Sequence, residues 1–117
     1  MRRKALPLIR RAQADLDVES ALDHYIGEST RAAEGFVKAI ERAYTHIGRA
    51  PDSGSPRWSQ ELNLPGLRSW PCTRYPYLVF YRVTADHIEI WRVLHTRLDL
   101  PSWLADEGSP GSEPEFP

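Results

Sequence analysis

Apolar and polar residues alternate loosely from Lys4 to Arg11, and Pro7 within that run cannot donate to a ladder, so the pattern predicts a short edge strand. The period then changes. Val18, Leu22, Tyr25 and Ile26 recur at i, i+4, i+7 and i+8, one stripe of a helix from Ala12 to about Gly27, while Asp15, Asp17, Glu19 and Asp23 fall mostly off it. Gly27 reads as a stop, and Ser29 or Thr30 as the N-cap of the next element. There the stripe is longer: Ala33, Phe36, Val37, Ile40, Ala43, Tyr44 and Ile47 predict a second helix from about Thr30 to Arg49, ended by Pro51 and Gly54. Two helices joined by so few residues form an antiparallel hairpin whose continuous apolar face needs a partner.

Residues 53–66 are rich in Pro, Gly, Ser and Asn, lack a period and read as an ordered loop, with Leu62 and Leu64 tucked in. Three runs rich in aromatic and β-branched residues follow, Leu67 to Cys72, Tyr75 to Val83 and His87 to His95, and predict an antiparallel meander. A two-residue turn at Ala85-Asp86 would set Arg82 opposite Glu89, Phe80 opposite Trp91 and Leu78 opposite Val93. A three-residue turn would shift that register by one. Opposite charges and facing rings favour the first. Both faces of the Tyr75 to Val83 strand are largely apolar, so one covers the hairpin and the other, if solvated, is a surface meant for a partner. Leu100 to Leu104 reads as a helical turn started by Pro101. The expectation is an α+β domain over residues 1–104, an N-terminal edge strand and a two-helix hairpin packed on a three-stranded meander. A Pro, Gly, Ser and Glu-rich tail over 105–117 is expected to be disordered or to order only on binding.

Composition narrows the class. A chain of 117 residues, 41% hydrophobic and 26% charged, suits one soluble domain. The longest apolar run, Tyr75 to Tyr81, is closed by arginines and falls far short of the roughly 20 residues of a membrane span. The basic start Met1 to Lys4 leads into only half of a signal-peptide apolar region, which predicts a cytoplasmic protein. Cys72 stands alone, without a disulfide partner or the Cys and His companions of a zinc site. The net charge of −1 conceals an asymmetry: residues 1–99 carry all 15 Lys and Arg and are net +3, whereas 100–117 carry four acids and no cation. Thirteen of those cations are arginine, as planar contact with phosphate or carboxylate would favour and as base composition would equally produce.

Candidate chemistry is sparse. Gly66-Leu67-Arg68 is not a phosphate loop, and His24, His46, His87 and His95 lack metal-ligand spacing, so structural roles are favoured and neither metal nor cofactor is expected. The acids of the first helix read as a solvated face. Arg68, Arg74, Arg82, Arg92 and Arg97 interleave with Trp70, Tyr75, Tyr77, Tyr81 and Trp91, a mixture suited to phosphate, base or protein contact. The alternative is internal: Arg82 and Arg92 pair with Glu89 or lie over aromatic rings. If the chain cleaved nucleic acid without a metal, Tyr81 and His95 would be the proton-moving groups.

The ordered set of segments resembles the RelE/ParE superfamily of bacterial type II toxins. Arg11-Ala12-Gln13-Ala14-Asp15-Leu16, Tyr25-Ile26, Ala33 with Phe36 and Ile40, and Pro51-Asp52-Ser53-Gly54 are similar to its helical half. Leu64-Pro65-Gly66-Leu67-Arg68, Tyr75-Pro76-Tyr77-Leu78-Val79-Phe80-Tyr81-Arg82, Ile88-Glu89-Ile90 and Arg92-Val93-Leu94-His95-Thr96-Arg97-Leu98-Asp99 are similar to its sheet signature. The span runs from about Arg10 to Leu104. Lysine is nearly absent from the sheet, and the segment after Arg92 lacks the terminal Tyr or paired His of the ribonuclease branch, so the resemblance is to ParE-like plasmid stabilisation toxins. It implies inhibition of DNA gyrase by binding, through Arg68, Arg74, Arg92, His95 and Arg97. It also implies a ParD-like antitoxin folding onto Tyr25, Tyr44, Trp70, Tyr75, Tyr77 and Trp91, with DNA reached only through that antitoxin and no membrane partner. A RelE-like mRNA endoribonuclease using Tyr81 and His95 is the alternative, and an inactive antitoxin-binding protein the third reading. A longer first helix and the acidic tail from Asp106 depart from the family pattern.

Overall fold

The computed structural model describes residues 6–108 and has the expected α+β architecture. Its elements run β1 (Leu8–Arg10), α1 (Ala12–Glu28), α2 (Thr30–Arg49), a 3-10 turn (Pro51–Ser53), α3 (Arg57–Leu62), β2 (Leu67–Pro71), β3 (Tyr77–Val83), β4 (Ile88–His95) and α4 (Leu100–Gly108). The strands form one mixed sheet in the order β1-β4-β3-β2, in which β1 pairs parallel to β4 and the rest are antiparallel. The start of the first predicted strand and the tail over 109–117 lie outside the described residues.

The hairpin turns on one residue. Ser29 is extended and serves both helices: its backbone N–H donates to the Tyr25 carbonyl, ending α1, and its Oγ accepts from Ala32 N at 3.0 Å, starting α2. Gly27 is therefore helical and stops nothing. The stripe of α2 buries Phe36, Ile40 and Ile47 with three alanines, and with Ala14 and Ala21 of α1 it packs on Val79, Tyr81, Ile88, Ile90 and Val93. Val37, placed on that stripe by periodicity, lies outside it.

The opposite face of the sheet is not solvated. Phe80, Trp91, Leu94 and Leu67 pack there against Trp58 of α3 and Leu100 and Leu104 of α4, a second core supplied by the chain itself. Each large apolar side chain fully buried in it contributes about 1.5–3 kcal/mol relative to exposure. Two expectations are corrected together. The loop over 53–66 contains α3, held because Trp58 needs burial, and the helical turn predicted for Leu100 to Leu104 continues to Gly108.

The predicted two-residue turn at Ala85-Asp86 puts Arg82 opposite Glu89, as expected. Beyond it a β-bulge between Phe80 and Tyr81 shifts the partners, so Phe80 faces Arg92 and not Trp91, and Leu78 faces Leu94 and not Val93. Trp91 is the extra residue. The bulge allows Ile88, Ile90 and Val93 to reach the hairpin core while Trp91 and Leu94 reach the second core, which strict alternation would forbid. The β2 edge is blunted by Pro71 and by a two-way backbone bridge between Ser55 and Ser69. Among the described residues, no helix is long and apolar enough to cross a membrane.

Candidate functional site

The short length of β1 creates the most distinctive surface. It pairs with β4 only as far as Ile90, and the chain then turns away into α1, leaving the remainder of β4 without a neighbouring strand on that side. Thr96 N–H donates to the Pro76 carbonyl, which puts the 76/96 pair in the hydrogen-bonded phase of the ladder; the 77/95 and 79/93 pairs therefore turn their backbone groups away from β3. Val93 N–H accordingly meets the Asp17 carboxylate of α1 at 3.0 Å, a side chain standing where a strand carbonyl would. Around this edge α1, the end of β4 and α4 enclose a groove of about 580 Å³, its apolar lining including Leu16, Tyr77, Leu98 and Trp103. Leu16 and Leu98 are 50% and 37% exposed. His24 and His95 stand on its rim, and the Tyr77 and His95 rings meet edge-on at 5.1 Å.

Arg92 sits behind this groove and not in it. It is 0% exposed, and its Nε and Nη2 donate to the two Asp17 carboxylate oxygens, each at 2.8 Å, with the Trp103 ring 5.1 Å from the guanidinium carbon. A guanidinium so paired ties α1, β4 and α4 together and has no face left for a target. Tyr81 is likewise 0% exposed: its hydroxyl donates to the Pro51 carbonyl at 2.8 Å and accepts from Gly54 N at 2.9 Å, while Arg68 donates to the Gly54 carbonyl at 2.8 Å. Burial raises its pKa above 10, against the opposing pull of the Gly54 N–H and of Arg68. Trp91, read from sequence as a partner contact, is buried beneath Arg11 and Arg82, whose guanidinium carbons lie 4.4 and 5.3 Å from its ring.

The remaining predicted residues divide by location. Tyr77, His95 and Arg97 gather at the end of the sheet where β4 stops and the β2–β3 turn begins, and that turn carries Tyr75 and the exposed Arg74, which has a left-handed φ of 70°. Tyr25 packs there against Tyr75 and Phe36, with ring centroids 5.1 Å apart in each case; burial, and then Tyr77, push its phenol up to about 12. Tyr75 donates to the Ala32 carbonyl at 2.9 Å. Arg68 lies further along β2, opposite Tyr81. Trp70 stacks on His46 of α2, whose Nε2 is 2.9 Å from Ser53 Oγ. Tyr44 is half-buried, with a hydroxyl that has no hydrogen-bond partner among the described residues and a pKa pushed up to about 12 by burial. No cluster of metal-ligating side chains occurs among the described residues.

Sequence reasoning missed Asp17, Leu16, Leu98 and Trp103. Asp17 looked like one more solvated acid of α1, and nothing local distinguishes it from Glu19. Leu16 was visible as an apolar residue off the helical stripe, a signal that could have been used.

Comparison with known proteins bears on this arrangement. The family model described as "ParE toxin of type II toxin-antitoxin system, parDE" matches residues 8–100. Among solved structures, a chain from "Chromosomal ParDE TA system from P. aeruginosa" matches with a TM-score of 0.62 and 23% sequence identity, over 80% of this chain and 98% of that one, a likeness of fold. No curated protein sequence matches.

Proposed function

The chain belongs to the ParE toxin family of type II toxin-antitoxin systems, and on that premise we propose that it is a cytoplasmic toxin that inhibits DNA gyrase by binding and is neutralised by a ParD-like antitoxin. The observation that carries the antitoxin part is the uncovered stretch of β4. An extended antitoxin segment adds there as a strand in line with β1, its backbone bonding to the Val93 carbonyl and the His95 N–H, since Asp17 holds the Val93 N–H and Leu98 the His95 carbonyl, and its apolar side chains filling the groove between Leu16 and Trp103. The segment orders on binding, and DNA is reached only through the antitoxin.

Arg74, Arg97 and His95 are the gyrase-facing groups in this reading, since they share one end of the sheet and are solvent-accessible. Arg92 acts through its hold on Asp17 and α4 and is a positioning residue. Arg68 positions the Gly54 loop. The burial of Tyr81 favours this binding mode over the endoribonuclease alternative, because a hydroxyl bonded to Pro51 and Gly54 has no access to RNA. Pulse-labelling in the first minutes after antitoxin-free induction tests the choice. DNA synthesis falling first, with the fall abolished by Arg74→Ala plus Arg97→Ala in a normally folded chain, is expected. Protein synthesis falling first, with mRNA cut in translating cells, would transfer the assignment to the ribonuclease reading.

A further inference from the structure

Four cations of α2 stand in one straight row. Counted from Arg31, the residues Lys38, Arg42 and Arg49 follow after seven, eleven and eighteen positions, and at about 100° per residue each returns to within about 20° of a single line about 27 Å long. The row runs beside the β2 edge of the sheet: Tyr75 donates to the Ala32 carbonyl, and the His46 ring stacks on Trp70 with centroids 3.7 Å apart. Arg74, on the β2–β3 turn, joins the first half of the row, sharing a depression of about 550 Å³ with Arg31, Lys38 and Tyr75. A second depression, of about 370 Å³, is lined by Lys38, Arg42, His46 and Arg49. Lys38 belongs to both, so the surface is continuous.

These five cations are exposed, and none makes an ion pair among the described residues, whereas Arg10, Arg11, Arg57 and Arg92 each hold a carboxylate. Glu34 and Lys38 stand four apart in the order that favours a helical pair, yet make none. Glu34 and Glu41 are the acids of this face, which leaves five cations against two acids, a net +3, in a chain whose total is −1. Its pull on an anion is therefore local and owes nothing to overall charge.

The make-up of the face selects among polyanions. A protein interface is built around an apolar centre. Here the centre is Lys38, Arg42 and Thr45, and none of the exposed large apolar side chains, Ile9, Leu16, Ile26, Val37 and Leu98, lines either depression. Nucleic-acid interfaces are polar and strongly positive instead. A single strand asks for open aromatic faces on which to stack its bases, and Trp70, the tryptophan beside the row, is already stacked on His46. A duplex asks only for cations along its phosphates, and about 27 Å of helix spans about eight base pairs. We propose that the α2 row, continued by Arg74, binds the phosphate backbone of duplex DNA without sequence preference. The antitoxin remains the part that selects a DNA site; α2 adds a backbone contact of the toxin's own, beyond the route described above. Arg74 stands where the row meets the end assigned to gyrase, so the duplex bound is the one that gyrase holds. That last step rests on the gyrase reading, and the contact itself does not.

Fluorescence anisotropy of a labelled duplex of about 20 base pairs, titrated with the full chain made by cell-free synthesis, gives the test. Five phosphate contacts predict a slope of about −4.5 for the logarithm of the binding constant against that of salt, a loss of about 500-fold between 50 and 200 mM. Duplexes of unrelated sequence should bind alike. Arg42→Gln with Arg49→Gln, both at exposed positions, should leave the circular dichroism spectrum unchanged, weaken binding at 50 mM salt about tenfold or more, and bring the slope to about −2.7. Arg57→Gln, which removes a cation from α3, should change neither affinity nor slope. A duplex left unbound by about 100 µM chain at 50 mM salt overturns the proposal, and so does a slope that Arg42→Gln with Arg49→Gln leaves unchanged, because the contact then lies elsewhere. Tighter binding to polyglutamate than to the duplex overturns the choice of partner and gives the face to an acidic protein. Gyrase is absent from this assay, so a failure here leaves the gyrase reading standing.

Discussion

Removing the Asp17 carboxylate gives the sharpest test of how the sheet end is built. In Asp17→Ala, Arg92 loses both of its 2.8 Å acceptors while remaining 0% exposed, and Val93 N–H loses its 3.0 Å bond. Breaking a buried ion pair from one side costs about 3–5 kcal/mol, because the surviving charge loses this carboxylate while staying out of water. That is a large part of the roughly 5–15 kcal/mol that holds a domain folded. With a urea dependence of about 1.5 kcal/mol per molar, typical of a chain this size, the unfolding midpoint should fall by about 2–3 M. The companion variant separates the pair from mere damage. Asp17→Leu with Arg92→Met removes both charges, refills the volume with apolar groups, and should recover most of the loss, leaving chiefly the unmatched Val93 N–H. Urea titrations of the two single variants and the double, followed by tryptophan fluorescence, give the coupling energy directly. A cost below about 1 kcal/mol for Asp17→Ala, or single costs that simply add in the double, would refute the reasoning.

Other outcomes follow from the same geometry. Tyr81→Phe leaves Gly54 N–H and the Pro51 carbonyl buried without their partner and should cost about 1–3 kcal/mol, read as a lowered thermal midpoint, with toxicity per folded molecule unchanged; Gly54→Ala should do at least as much harm, its Cβ falling 2.3 Å from the Tyr81 hydroxyl. The β3–β4 turn should confer a stability optimum in mildly acid solution. Burial pushes Glu89 up, but Arg11, the Trp91 N–H, His87 and Arg82 together take it below its ordinary 4.5, so its contribution is present above that pH and is lost as pH falls through the lowered value. His87, raised above 6.5 by its bond to Asp86, contributes fully below 6.5 and loses its contribution as pH rises through the raised value. His87→Gln should accordingly flatten the alkaline side of a midpoint-versus-pH curve and leave the acid side in place. Cys72, buried and with its thiol pushed up to about 11 by burial, should resist iodoacetamide at neutral pH in the native chain and react readily in urea, as mass spectrometry would record.

Local signals disclosed much of this fold. Helical periodicity located α1 and α2, because the α2 stripe buries one nearly continuous face, and β-branched and aromatic runs located β2 to β4, because β3 and β4 are covered on both faces. What escaped depends on pairing across distance. The Trp91 bulge exists because two cores compete for β4, and the second core exists because α3 and α4, each carrying few apolar residues, find the far face of the sheet. Neither helix has enough period of its own to announce that role. Tyr77, His95, Arg74 and Arg97 lie at one end of the sheet, whereas Tyr81 and Trp91 are interior, and Arg92 takes the internal alternative, lying over the Trp103 ring but paired with Asp17 and not with Glu89. Residue type alone cannot distinguish an arginine offered to a partner from one paired with an aspartate 75 positions earlier.

The central claim is that this member of the ParE toxin family acts on gyrase by binding. Its most direct test is a supercoiling assay with purified gyrase, relaxed plasmid, ATP and the antitoxin-free chain. Supercoiling should fall as the chain is titrated in, with linear, protein-linked DNA accumulating, and an extended antitoxin segment that occupies the β4 edge should reverse the effect. Undiminished supercoiling in the presence of a folded, excess chain would contradict the account.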